Sequence, residues 1–207
     1  MSKRKGLFIT LEGTEGCGKS THAKLLKSYL QDKGHEVVLT LEPGGTGVGK
    51  SIRDILLHRD ASIDKAAELL LFGADRAHHV SSVIKPALAQ GKIVICDRYI
   101  DSTTAYQVGG RGLPEDAVKF INNLSSEGVC PDVTILFDVP VEVGLKRLKG
   151  GMRDRFEKES LDFHEKIRMR FLEIAKAEPD RVKIVGSHDS IDSVEEKIRK
   201  ILEPYIT

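Results

Sequence analysis

A chain of 207 residues is long enough for one domain burying roughly 70% of its unfolded surface, and too short for two independent cores. Its 32 Lys and Arg against 31 Asp and Glu leave a net charge of +1, which argues against a general nucleic-acid or membrane-surface binder and leaves phosphate recognition to local cation clusters. Cys17, Cys96 and Cys130 are odd in number and lack paired spacing, so neither a disulfide framework nor a zinc site is expected. Met1 to Lys5 is basic, but the apolar run that follows, Leu7 to Leu11, is too short for a signal peptide core or a membrane span. A reducing cytoplasm is the expected compartment.

Leu7-Phe8-Ile9-Thr10-Leu11 reads as a strand, and Ser20 to Lys33 as a helix. Between them lies Gly13-Thr14-Glu15-Gly16-Cys17-Gly18-Lys19-Ser20. Strand, glycine turn and helix in this order make a phosphate cradle, in which Gly13 and Gly18 let successive amide N–H groups converge at a helix N-terminus. Gly13, Thr14, Glu15, Gly16, Cys17, Gly18, Lys19, Ser20 and Thr21 are the expected contacts of a nucleoside triphosphate. Lys19 would reach the outer phosphates, and the Ser20 hydroxyl would ligate Mg2+. Cys17 fits as a small residue of the cradle, with a redox role the weaker alternative.

Gly34 ends the first helix, Glu36 to Leu41 forms the second strand, and the loop Glu42-Pro43-Gly44-Gly45-Thr46 follows. Helices are predicted over about Val48 to Leu57 and Asp64 to His79, with a second piece running to Gln90. Adjacent His78 and His79 would point about 100° apart on a helix, which argues against a shared metal. Ile93 to Cys96 is an unbroken apolar strand. Asp101 to Gln107 and Glu115 to Ser126 read as helices, Val133 to Phe137 as the fourth strand, Val141 to Leu148 and Ser160 to Ala177 as helices, and Val182 to Val185 as the fifth strand. Ser193 with Glu196 has the spacing of a capping box for the last helix. Five strands alternating with helices predict an α/β fold, a five-stranded parallel sheet with helices on both faces. Ligands of such sheets bind at the carboxyl ends of the strands. There the cradle, Glu42 to Thr46 and Asp97-Arg98-Tyr99 are expected to meet.

A phosphate cradle serves switches, motors and small-molecule kinases alike. Asp97 closes an apolar strand, where it could hold Mg2+ through water, and Arg98 offers a planar fork for an anionic phosphate. An ordinary ion pair at a strand end is the plainer alternative. An acceptor that is itself a phosphate monoester is largely dianionic at neutral pH and needs no strong general base, so arginine-rich chemistry favours a nucleoside monophosphate kinase.

Over nearly all of residues 7 to 203 the chain resembles the thymidylate kinase family. The resemblance rests on the cradle with its internal acid, Glu42-Pro43-Gly44-Gly45-Thr46, Leu71-Phe72-Gly73-Ala74-Asp75-Arg76, Asp97-Arg98-Tyr99, Ser102-Thr103-Thr104-Ala105-Tyr106-Gln107, Pro131-Asp132, Phe137-Asp138-Val139 and Arg153-Asp154-Arg155. It implies transfer of the γ-phosphate of ATP to thymidine 5′-monophosphate (dTMP), with Mg2+, by a P-loop kinase domain that forms a homodimer. It further implies that Glu15 contacts the 3′-hydroxyl of the acceptor sugar and Arg98 the acceptor phosphate, with Arg53 nearby. Phe72 would stack on thymine and Arg76 would donate to the base carbonyl; read without the family, Phe72 fits a core position. Ser102, Thr103, Tyr106 and Gln107 would lie on the base and sugar side, Tyr106 crowding a ribose 2′-hydroxyl. Thr103 stands where the family often has asparagine, and Ser102 and Thr103 alone would read as helix caps.

The basic segment from Lys146 to Arg155 carries paired glycines, Gly150 and Gly151, and reads as a lid over about residues 146 to 156. In relatives whose cradle lacks arginine the lid supplies the catalytic one; Arg153 is favoured here, with Arg147, Lys149 and Arg155 as alternatives. Lys19, Arg98 and Arg153 are thus the expected catalytic residues. A broader pyrimidine monophosphate kinase or a deoxynucleoside kinase is the nearest rival function, and a nucleotide-binding switch the rival of another class.

Overall fold

The computed structural model describes residues 6–57, 62–148 and 154–206. The described residues form five strands, β1 (Phe8–Glu12), β2 (Val37–Leu41), β3 (Ile93–Asp97), β4 (Val133–Asp138) and β5 (Val182–Gly186). All pair in parallel in the order β2-β3-β1-β4-β5. Parallel neighbours need crossovers, and helices supply them on both faces. They are α1 (Lys19–Asp32), α2 (Gly47–Leu57), α3 (Lys65–His79), α4 (Lys85–Ala89), α5 (Ile100–Thr103), α6 (Glu115–Ser126), α7 (Val141–Arg147), α8 (Leu161–Ala177) and α9 (Ile191–Leu202).

The strand alternation sorts the core. Along β1, Phe8 joins Val80, Ile84, Leu88, Val94 and Tyr99 on one face, while Ile9 and Leu11 meet Leu26, Leu30, Ile198 and Leu202 of α1 and α9 on the other. A third cluster gathers Leu56, Tyr106, Phe156, Phe163, Ile167 and Phe171 beneath α8. Since β1 lies between β3 and β4, the chain leaves its end in one direction for β2 and β3 and later returns on the other side for β4. That reversal opens a crevice at the carboxyl end of β1.

Two local expectations are corrected. Asp101 to Gln107 is not one α-helix: α5 gives way at Thr104 to a π-helical segment, Thr104–Gly110, whose wider turn changes the phase of the side chains. The last helix is capped not by Ser193 but by Ser190, whose hydroxyl accepts from the Ser193 backbone N–H at 3.3 Å. Ser190 is extended as the chain leaves the turn after β5, and starting the helix there brings Val194 and Glu195 into buried positions.

Candidate active site

The cradle leaves β1 at Gly13 and enters α1 at Lys19. Gly13, Gly16 and Gly18 all take positive φ, at 142°, 67° and 99°. At Gly16 space matters as well: a Cβ there would lie 2.0 Å from the Gly144 carbonyl oxygen, and one on Gly144 would lie 2.4 Å from the Glu15 carbonyl oxygen. Two facing glycines therefore let α7 press on the loop. Lys19 is buried, and its ammonium donates to the Gly13 and Thr14 carbonyls at 3.0 and 2.8 Å. Its charge is thus held at the loop's centre.

At the rim, the Ser20 hydroxyl donates to Asp97 Oδ2 at 2.6 Å. Two hard oxygen donors beside the cradle suit Mg2+, which takes one or two protein oxygens and fills its remaining positions with phosphate and water.

Arg98 follows at once. Its φ of 72° is unusual for a side chain of this size, and the conformation is held by Arg98 N–H donating to the Leu11 carbonyl at 3.0 Å and by the next amide, Tyr99 N–H, donating to Glu12 Oε1 at 2.8 Å. The turn sends the guanidinium back over the cradle. There Nη1 donates to the Gly13 carbonyl at 3.0 Å and to Ser102 Oγ at 3.1 Å, Nη2 pairs with Glu15 Oε2, and the group lies 5.0 Å from the Tyr106 ring centroid. Tyr106 in turn donates to Glu15 Oε1 at 2.6 Å. Burial alone would raise the Glu15 carboxyl, but Arg98 and then Lys19 outweigh it and hold it below the ordinary carboxylate range. The site contains a stable anion beside a stable cation.

Glu12, which the sequence does not single out, supports this arrangement from behind. It is fully buried; besides Tyr99 N–H, it accepts from Ser102 N–H at 3.3 Å and from the Ser102 hydroxyl at 2.5 Å. Burial first, and then the charge of Asp101, push it up to about 7.

On the far side, Arg76 is 2% exposed and commits one donor each to Glu42 Oε2 (2.8 Å), Asn122 Oδ1 (2.7 Å) and Thr103 Oγ1 (2.8 Å). A guanidinium has five N–H groups, so two remain. Glu42 also pairs with His79 Nδ1 at 2.9 Å, and His79 Nε2 meets Thr40 Oγ1 at 2.6 Å. Glu42, His79 and Cys96 bring ligand atoms within 4.8 Å of one another, but both His79 nitrogens are already bonded, so the cluster braces the second strand end. Arg53 Nη1 donates to the Pro43 carbonyl at 2.8 Å.

One cavity of about 680 Å³ runs from Glu15–Thr21 past Arg98 to Arg53, Phe72, Arg76, Ser102, Thr103 and Tyr106. Most of the expected site residues are thereby brought together. Three of the described ones do not line it: Gly13 and Thr14 lie instead beside Phe137 and Arg168, and Gln107 is fully buried, with its Nε2 donating to Glu68 Oε1 at 2.7 Å, because the π-helical turn that aims Tyr106 at Glu15 rotates the next side chain away. Arg153 and Lys149 lie outside the described residues. Of the alternatives, Arg147 lines the cavity and donates to the Ser187 carbonyl at 3.0 Å, whereas Arg155 turns away, donating to the Leu56 carbonyl at 2.9 Å and pairing with Glu68 at 2.5 Å. The sequence also passes over His22, which shares a 2.5 Å bond with Glu195, stacks on Phe137 and lines the cavity beside the cradle.

A main-chain phosphate cradle and a guanidinium seat facing one cavity at the reversal point of a parallel sheet define a P-loop nucleoside monophosphate kinase fold. The comparisons with known proteins narrow it. A family model described as thymidylate kinase matches residues 11–198. The thymidylate kinase of Synechococcus sp. is 46% identical over 198 residues, covering 96% of this chain and 95% of that one. That of Geotalea daltonii is 48% identical over 196 residues, covering 90% and 92%. The crystal structure of thymidylate kinase from Ehrlichia chaffeensis superimposes with a TM-score of 0.81 at 37% identity, covering 96% of this chain and 98% of that one. The chain belongs to the thymidylate kinase family.

Proposed function

We propose that the family's reaction, transfer of the γ-phosphate of ATP to dTMP, runs in this chain between the cradle and Arg98. The carrying observation is that Arg98 donates to the Gly13 carbonyl of the cradle itself at 3.0 Å. An anion on that guanidinium adjoins the outer phosphate of a nucleotide in the loop, so donor and acceptor are held head to head.

Each side chain then has a task. Cradle amides and Lys19 bind the triphosphate, and Ser20 and Asp97 hold Mg2+, which neutralises phosphate charge when bound. Arg98, assisted by Arg53, orients the acceptor phosphate, which attacks as a dianion without a general base. Glu15, anionic and fixed by Arg98 and Tyr106, accepts from the 3′-hydroxyl. Phe72 stacks on thymine, and Arg76 turns a remaining N–H to the base carbonyl. Ser102 and Thr103 act from behind, holding Arg98 and Arg76 in position. The chain works as a single domain whose lid is the segment read from the sequence over about 146 to 156, of which 149–153 lie outside the described residues and Arg155 and Phe156 are held against the body. Arg153 is the arginine that meets developing phosphoryl charge, with Arg147 as the alternative.

The working form is a homodimer in the cytoplasm. Leu70, Ala74 and Ala77 of α3, and Phe120 and Leu124 of α6, leave an apolar stripe exposed on two adjoining helices, and a second copy would cover it. No helix among the described residues is long and apolar enough to cross a membrane, and the three free cysteines suit a reducing compartment.

ADP release measured across nucleoside monophosphates tests this function. The expected profile is led by dTMP; a flat or purine-led profile overturns it, and phosphorylation of thymidine itself would favour the deoxynucleoside kinase.

A further inference from the structure

We infer that Phe156 is a third wall of the acceptor-base pocket and that Glu68 is the positioning residue that keeps it there, an inference resting on the reading above of Phe72 and Tyr106 as that pocket. Phe156 is 4% exposed and lines the cavity. Its ring centroid lies 6.1 Å from that of Phe72 and 5.6 Å from that of Tyr106, edge-on to the latter at 83°. The three rings therefore form one apolar corner around the space assigned to the base.

Phe156 belongs to no helix or strand. Its turn is closed locally by Asp154 Oδ1, which accepts from the Phe156 and Glu157 N–H groups, both at 2.9 Å. What fixes that turn to the body is a pair of arginines. Arg155 donates to the Leu56 carbonyl at 2.9 Å and pairs with Glu68 Oε2 at 2.5 Å. Arg111 donates to Glu68 Oε1 at 3.0 Å and to Glu159 Oε1 at 2.5 Å. Both guanidinium groups lie over the Phe156 ring, at 5.2 Å for Arg111 and 4.8 Å for Arg155.

Two cations on one ring repel each other unless an anion joins them. Glu68 is that anion; it is 1% exposed, sits one helical turn before Phe72 on α3, and also accepts from Gln107. It does not line the cavity, so its effect on the acceptor passes through the groups it holds: Arg111 and Arg155 over Phe156, and Gln107 next to Tyr106, a route that the double variant separates from the first. The arrangement ties the turn at 154–159 to the same helix that presents Phe72 and Arg76.

Calorimetric titration with dTMP, and separately with ATP, tests the inference on Phe156→Ala, Glu68→Gln, the double variant and Phe72→Ala. Phe156→Ala and Glu68→Gln should each weaken dTMP binding by about tenfold, leave ATP affinity within about twofold, and give a double variant no weaker than the worse single one, since both act through one ring. Phe156→Leu should recover part of the loss. If Glu68→Gln does not fold, Arg155→Lys, which keeps the charge but loses the planar face, is expected to show the same selective loss. Unchanged dTMP affinity in Phe156→Ala beside a clear loss in Phe72→Ala overturns the inference alone. Unchanged affinity in Phe72→Ala overturns the base pocket on which it rests. Additive losses in the double variant remove Glu68 as the residue that acts through Phe156.

Discussion

The proposed function rests most heavily on Arg98, because its left-handed backbone is what returns the guanidinium to the cradle. Arg98→Ala should lower kcat/KM for dTMP by about 10²- to 10³-fold, the scale for losing a donor aimed at reacting charge, while ATP affinity by direct titration stays within a few fold. Equal losses for both nucleotides would mean a collapsed site. The place of Arg98 after an apolar strand was legible, but Glu12, which braces the turn after it through Tyr99 and Ser102, was not, since a carboxylate at a strand end looks the same whether it faces water or a buried turn. Burial raises Glu12 from an ordinary value of 4.5 to about 7, and Asp75 to about 6. The folded state then binds protons more tightly than the unfolded one, so the contribution of Glu12 to stability is complete below pH 4.5 and is lost as pH rises through about 7, and that of Asp75 is complete below 3.8 and lost through about 6. Thermal melts of Glu12→Gln should show a smaller decline than the parent between about pH 5 and 8, because the titrating group is gone. Glu15, held low, acts in the opposite sense: its contribution is present above the ordinary carboxylate value and is lost on acidification through its lowered one.

At the scale of elements, all five strands were readable, since each is a short apolar run and a strand covered on both faces needs nothing more. The helices were readable for the most part too. The failure at Thr104–Gly110 has a specific cause: Thr103, Tyr106 and Gln107 have α-helical spacing in sequence, and nothing local announces the extra residue per turn that aims Tyr106 at Glu15 and Gln107 at Glu68. The contact of α7 with the cradle was equally invisible, because a glycine inside a helix carries no sign of what approaches it. Gly144→Ala places a methyl 2.4 Å from the Glu15 carbonyl oxygen. It should destabilise the fold by about 1–3 kcal/mol and weaken ATP binding, as read from denaturant titration and calorimetry; unchanged values would mean that α7 yields without disturbing the loop.

For the molecule as a whole, the strand order places the end of β1 between β3 and β4, so that a cradle from one segment and an arginine from another 85 residues away meet. Assembly belongs to this scale as well. If the stripe on α3 and α6 is the dimer face, Phe120→Glu combined with Leu70→Glu should halve the mass measured by light scattering at micromolar concentration. A mass equal to the parent's would place the interface elsewhere or make the chain a monomer.

The residues alone determined the α/β class, the cradle and the family, because periodicity, glycine spacing and an ordered set of short motifs are properties of neighbours along the chain. Only the tertiary structure decided that Gln107 leaves the cavity, that Glu12 braces Arg98, and that Arg155 is bound to Glu68 rather than turned to the cradle. Those outcomes depend on which distant carboxylate a buried donor can reach, and burial with its charge partners exists only once the strands and helices have packed.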